Sequence, residues 1–283
     1  MLKKTFCHVP GIGPKRERWL WQSGFRCWED CDPAKPLPLS REAAGSFRRY
    51  VEASGARLAA DDPGFFAGLL PQSLLWRLFP EFRHATAYLD IETTGSVGWE
   101  SPITTVSVYD GASISCYVQG DNLEAFPEDI SRYKVLVTYN GRCFDLPILE
   151  RHFGTRFPHV HIDLRFVLKS LGIGGGLKRC ERQMGIDRGL LDGVDGFFAV
   201  LLWQEYASTG DPRALETLLA YNIQDVVNLE ALMISAYNLK LGETPFGLDG
   251  VLPAPVAPEL PYAPDPETIE RVRRRITSWE QPY

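Results

Sequence analysis

The sequence predicts an α/β fold in which a mixed β-sheet is flanked by helices, with an N-terminal helical region in front of it. Three observations carry that prediction. Three apolar, β-rich runs follow one another between residues 88 and 119, strand and helix patterns then alternate, and a long amphipathic helix opens at Pro212. Consecutive strands joined by a tight turn make an antiparallel meander, and the helices behind them supply the layers that cover a sheet.

Residues 1–84 read as helical. The string His8-Val9-Pro10-Gly11-Ile12-Gly13-Pro14 encodes a tight Gly-x-Gly turn before a helix over 15–23, since glycine tolerates sharp backbone angles and Pro14 suits a helix start. A Pro-rich run over 33–39 breaks the chain, Ser40 caps a helix from 41 towards 55, and Asp62 with Pro63 opens another through 79. Residues 85–242 carry the sheet. Strands are expected at 88–91, 103–109 and 114–119, with Asp110-Gly111 as the hairpin turn between the last two, then at 135–139 and 160–163. Helices are expected at 146–153, 164–171, 177–184 and 197–206, and from Pro212, capped by Asp211, through 237. Residues 243–283 differ again: seven prolines within 243–266 make an extended strap or linker, and a short helix over 267–279 carries Arg271, Arg273, Arg274 and Arg275.

Composition bounds the function. The chain has 283 residues, 45% hydrophobic and 12% aromatic, which excludes collagen-like, mucin-like and wholly disordered classes. No run of 18 apolar residues occurs and no signal-peptide core follows Lys3 and Lys4, so a cytoplasmic protein without membrane contact is expected. Six scattered cysteines suit a reducing compartment. The net charge of −6 argues against a polyanionic partner, yet residues 1–50 carry ten Lys/Arg against five Asp/Glu.

The informative strings are acidic. In Asp90-Ile91-Glu92-Thr93-Thr94-Gly95, at the end of the first strand, residues two apart share a face, so Asp90 and Glu92 present carboxylates roughly 7 Å apart along the backbone. Like charges on an apolar strand destabilise each other unless they are solvated or share a hard cation. In Tyr139-Asn140-Gly141-Arg142-Cys143-Phe144-Asp145, Asn140 and Gly141 turn the chain, and Asp145 begins a helix where it can cap N–H groups or face a metal. In Tyr221-Asn222-Ile223-Gln224-Asp225, Tyr221 and Asp225 stand on one helix face with β-carbons about 5 to 6 Å apart, where they can hydrogen-bond to each other or serve a site.

Taken in this order, the three strings resemble the exonuclease motifs of DnaQ-like (DEDD) 3′-to-5′ exonucleases in the ribonuclease H-like superfamily. Val137 to Pro147, His161 to Leu164, Gly174 to Lys178 and Tyr221 to Leu229 look like the YprB type of that group. The resemblance implies a ribonuclease H-like fold and two Mg²⁺ or Mn²⁺ ions held by Asp90, Glu92, Asp145 and Asp225. It places Asp90 between both ions, Glu92 and Asp225 on the nucleophile side and Asp145 on the leaving-group side. Tyr221 would orient the attacking water, as in the tyrosine subtype, because Ala220 stands where the other subtype has histidine. Thr93, Asn140 and Phe144 would contact the terminal nucleotide, and Asp163 would support the site or cap a helix. With two divalent ions bound the balance of −6 moves to about −2, and the local field turns in favour of phosphate.

The activity expected is metal-dependent 3′-to-5′ hydrolysis of single-stranded DNA or RNA, with no protein partner identifiable. A structure-selective endonuclease or RNase H-type enzyme on the same fold, and a non-catalytic nucleic-acid-binding module, stay open. Residues 8–24 resemble a helix-hairpin-helix motif, in which Gly11 and Gly13 would offer N–H groups to a phosphate and Lys15 would add charge. Gly174 to Gly176 with Lys178 read as a flexible loop or a phosphate cradle. Cys7, His8, Cys27 and Cys31 contain no Cys-x-x-Cys pair, so free thiols are expected rather than a zinc site. The arginines at 271–275 are either a solvated face or a backbone contact.

Overall fold

The computed structural model describes residues 1–32, 34–95, 101–247 and 249–280; Pro33, first of the 33–39 proline run, lies outside them. Five strands, β1 (Thr86–Thr93), β2 (Ile103–Tyr109), β3 (Ile114–Val118), β4 (Val135–Thr138) and β5 (Val160–Asp163), form one sheet in the order β3-β2-β1-β4-β5. The first three pair antiparallel, and β4 and β5 run parallel to β1. This is the mixed sheet the sequence predicts. β1 is longer than the expected 88–91, because its ladder with β2 pairs Asp90 with Ser107 and Glu92 with Thr105. Glu92, one residue past the expected end, is therefore inside the strand with Asp90.

Eleven α-helices are described: α1 (Pro14–Gln22), α2 (Arg41–Ala59), α3 (Pro63–Ala67), α4 (Phe79–Phe82), α5 (Phe126–Ile130), α6 (Asp145–Phe153), α7 (Leu164–Lys169), α8 (Leu177–Gln183), α9 (Gly196–Thr209), α10 (Pro212–Gly242) and α11 (Pro266–Glu280). Strand alternation sorts the sheet's two faces. Leu89, Ile91 and Val106 pack with Ile148 and Leu149 of α6. Tyr88, Val137 and Ile162 pack with Val226, Leu229 and Met233 of α10. Asp90 and Glu92 share Tyr88's parity, so they face α10 and not α6. That helix has 31 residues, opens on Pro212 with Asp211 accepting from Arg213 N, and lies across β1 and β2.

The N-terminal residues pack against the open edge of the sheet. The continuous helix expected over 63–79 is instead α3, a 3₁₀ segment Gln72–Leu78 and α4. Pro71 has no N–H to continue a helix begun at Pro63. The 3₁₀ segment and α3 lie on β5, so the edge strand is covered. The chain before Gly11 holds a 3₁₀ turn, Leu2–Lys4, in place of the first α-helix a helix-hairpin-helix needs. Glu17, 1% exposed, accepts from Phe6 N, Cys7 N and the Arg77 guanidinium, which fixes that turn to the segment over β5.

The strap after α10 is not a free linker. Asn238 donates to Leu252 O and accepts from Leu252 N, and Phe246 lies edge-on to Trp21. Ile269 and Val272 of α11 pack with Leu202 and Leu218. Its arginines are spent within the chain: Arg271 and Arg275 on Glu205, Arg274 on Glu270, and Arg273 on Asp192 O. Among the described residues no helix is long and apolar enough to cross a membrane.

Candidate active site

β1 and α10 bring the acids together. Ligand oxygens of Asp90, Glu92 and Asp225 all lie within 4.8 Å of one another. Asp145, at the first turn of α6 and 3% exposed, joins them along a cavity of about 770 Å³ that Tyr221 also lines. Its side chain does not cap α6: Oδ1 accepts from Ile91 N at 3.2 Å, which ties α6 to the strand that carries the other two acids. Among the described residues this is the one group of three or more His, Cys, Asp or Glu with metal-ligand spacing. Cys7, His8, Cys27 and Cys31 are not gathered. His8 Nε2 meets Ser54 Oγ, Cys27 Sγ contacts Asp30, and Cys31 Sγ contacts Cys27 O.

Packing four acids in one cavity has an electrostatic cost. Burial, and then repulsion from Asp225 and the other acids, hold Asp90 and Glu92 well above the usual carboxylate range. Burial pushes Asp145 up to about 7. The donor set is hard oxygen throughout, and carboxylates crowded this closely are relieved by a divalent cation of the Mg²⁺ or Mn²⁺ kind, so the residues fit that group.

Three side chains partner these acids: Lys178, which the sequence offered only as part of a phosphate cradle, and Arg188 and Asn222, which sequence reasoning missed. Lys178 Nζ is 2.5 and 2.6 Å from the two Asp225 oxygens, and Arg188 Nη2 is 2.5 Å from Oδ1. The Tyr221–Asp225 hydrogen bond that i,i+4 spacing allows is therefore replaced by two ion pairs. Asn222 donates from Nδ2 to Asp90 Oδ2 at 2.6 Å and accepts from Thr105 Oγ1. Arg188 is anchored through its other terminal nitrogen, Nη1, on Glu181, which is fully buried and also accepts from Asn228 Nδ2. Lys178 stands two residues past a glycine run: Gly175 and Gly176 have φ of 106° and 90°, which side-chain-bearing residues rarely adopt. The run turns the chain into α8. The Asn in the middle of an apolar helix was the one readable signal, since a buried amide needs a partner; nothing in the spacing marks Arg188.

The loop between β4 and α6 is built on Asp163. Its Oδ1 accepts from Asn140 N and, as the cap of α7, from Arg165 N, and its Oδ2 accepts from Arg142 N. Asp163 thus caps a helix and holds the loop together. Asn140 takes a left-handed φ of 67°, and a β-carbon on Gly141 would stand 2.3 Å from Thr138 Oγ1. Asn140, Phe144 and Thr93 all line the cavity, Phe144 with 42% of its surface exposed. Gly11, Gly13 and the exposed Lys15 do not: the two glycines border a separate hollow with His8 and Leu70. The hydroxyl of Tyr221 is held well above its ordinary pKa, by burial first and by Asp225 next.

A model of the RNase_H superfamily, RNase_H_2, matches residues 87–237. Among solved structures, the chain is similar to the family B DNA polymerase of the hyperthermophilic archaeon Pyrobaculum calidifontis, at 19% identity and a TM-score of 0.42, over 55% of this chain and 24% of that one. The chain thus spans about a quarter of that polymerase. No curated protein matches it.

Proposed function

The chain belongs to the RNase_H superfamily, and from that premise we propose that it is a metal-dependent 3′-to-5′ exonuclease of single-stranded nucleic acid, of the DnaQ-like tyrosine subtype and the YprB type. The observation that carries this reading is the convergence of Asp90, Glu92 and Asp225 oxygens within 4.8 Å, with Asp145 on the same cavity. In this reading residues 85–242 carry the hydrolase, and 1–84 and 243–283 support it.

Asp90, Glu92, Asp145 and Asp225 would hold two Mg²⁺ or Mn²⁺ ions, which when bound supply a hydroxide at neutral pH and offset charge on the leaving oxygen. The chain's own residues do the rest. Asn222 and the Ile91 amide hold Asp90 and Asp145 in place, so little reorganisation is left for the reacting state. Tyr221 keeps its proton, because its pKa is raised; it donates a hydrogen bond that orients water and does not act as the base. Asn140 Oδ1 already accepts from Arg165 Nη1, so the group it offers a strand is its Nδ2 donor. The exposed Phe144 ring gives the terminal base a stacking surface.

The test is degradation of 3′- and 5′-labelled DNA and RNA oligonucleotides in Mn²⁺ by wild type and Asp90→Asn. The expected result is a 5′-labelled ladder shortening from the 3′ end, abolished in the variant. Cleavage of a circular single strand would refute the requirement for a free end, and no hydrolysis of any substrate would leave a nucleic-acid-binding module.

A further inference from the structure

The two cations on Asp225 are not equivalent. The Arg188 guanidinium is held through both terminal nitrogens, Nη2 on Asp225 and Nη1 on Glu181, and its side chain is 3% exposed. Lys178 is 26% exposed and has no ion-pair partner but Asp225 among the described residues; its ammonium otherwise rests over the Tyr221 ring, 4.4 Å from the centroid. It lines the same cavity as the four acids. Arg188 is thus built into the fold, whereas Lys178 has one ion-pair partner among the described residues and lines the open cavity.

That contact is made to one of the three acids whose oxygens converge. Asp225 Oδ1 accepts from both cations and Oδ2 from Lys178, so neither oxygen is free while the lysine stays. A divalent ion shared with Asp90 and Glu92 needs at least one of these oxygens, and an ammonium within 2.6 Å of it would meet strong like-charge repulsion. Arg188 cannot leave without baring the buried Glu181. Lys178 can, because four rotatable bonds carry its charge and the cavity lies next to it.

We propose that Lys178 is an exchangeable cation, which occupies Asp225 while the carboxylates are without metal and passes to a non-bridging phosphate oxygen of the bound strand when they hold it. The inference rests on the nuclease reading for its second half and on the geometry at Asp225 alone for its first. Lysine suits the role as a compact point charge for phosphate. The exchange gives the acid cluster a resting partner, and it supplies the strand with a positive contact only when metal is present.

Mn²⁺ binding to the protein alone, by calorimetry or by the spin-resonance signal of free ion, tests the first half. Lys178→Met removes the competitor, so Mn²⁺ affinity is expected to rise about fivefold, the factor carried by a partly exposed ion pair of ~1 kcal/mol. Lys178→Arg keeps the charge and stays close to wild type. The second half is read from binding of a labelled oligonucleotide in Ca²⁺: Lys178→Met is expected to weaken it about fivefold or more, and less so as salt is raised. A side chain that merely braces the fold would weaken metal and strand together, so opposite signs are the signature. Mn²⁺ affinity unchanged or lowered in Lys178→Met, with its melting temperature like wild type, overturns the proposal while wild-type hydrolysis keeps the nuclease reading. Tighter Mn²⁺ binding with no hydrolysis by wild type supports the exchange at Asp225 and refutes the nuclease reading.

Discussion

Arg188→Met probes how the acid cluster is tolerated by the fold. The arginine stands 2.7 Å from Glu181 and 2.5 Å from Asp225, with side-chain exposures of 3%, 0% and 5% for the three residues. Methionine keeps the length of the stem and deletes the charge. Breaking a buried pair from one side costs about 3–5 kcal/mol, because it leaves a carboxylate without its counter-ion. Here two carboxylates lose one, but Asp225 keeps Lys178 and Glu181 keeps Asn228, which puts the expected loss near the lower end, about 3 kcal/mol. Arg188 Nε and Glu181 Oε2 are buried without partners among the described residues, so the native pair is itself incompletely compensated. Removing both charges, as in Glu181→Leu with Arg188→Met, is therefore expected to recover at least ~1 kcal/mol of the single variant's loss. The assay is urea unfolding in a chelator at pH 7, for wild type, both single variants and the double. A loss under ~1 kcal/mol for Arg188→Met, or a double variant as unstable as the sum of the singles, would refute the reasoning.

The pH dependence of the metal-free protein follows from Asp145. Its folded pKa of about 7 lies above the ordinary carboxylate value, so the folded state retains a proton the unfolded chain has released. This group's contribution is thus fully present below about pH 4 and falls as pH rises to about 7, by at most ~1.4 kcal/mol per unit. The difference in urea midpoint between wild type and Asp145→Asn, read at pH 5 and pH 7, should shift in favour of the variant at the higher pH; a constant difference would contradict it. Gly141→Ala forces a β-carbon to 2.3 Å from Thr138 Oγ1, and that hydroxyl is held by His161 Nε2 and Gly141 N. A loss of about 1–3 kcal/mol is expected in the same unfolding assay. Asp163→Ala frees three N–H groups of the 140–165 segment while leaving every cavity acid in place, so nuclease activity should drop although Mn²⁺ affinity changes little. Parallel losses of both would place Asp163 at the metal instead.

The fold was legible because its signals are local. Apolar, β-rich runs marked the strands, Pro212 after Asp211 marked the start of α10, and the motif order marked which elements meet. The errors fell where a local rule was beaten by its neighbours. β1 extends through Glu92 because β2 continues the ladder opposite it, and the 63–79 helix is interrupted because Pro71 withholds a donor that apolar spacing does not reveal. The Arg271 to Arg275 run could have faced solvent or phosphate, and the outcome turned on Glu205, 66 residues away from Arg271.

The acids themselves could be read from sequence, but what allows them to coexist could not. Carboxylates are placed by a period of two on β1 and by a turn on α6, both short-range facts. Their compensation comes from Lys178 and Arg188, which reach Asp225 across 47 and 37 residues of chain. The protein without metal thus balances its cavity by two means: the Arg188 and Lys178 cations at Asp225, and raised pKa values on Asp90, Glu92 and Asp145 that favour their protonated forms. An entering divalent ion must displace one or the other. On the proposed reading, metal affinity is coupled both to pH and to where a single lysine sits, and a net charge summed over the whole chain contains neither dependence.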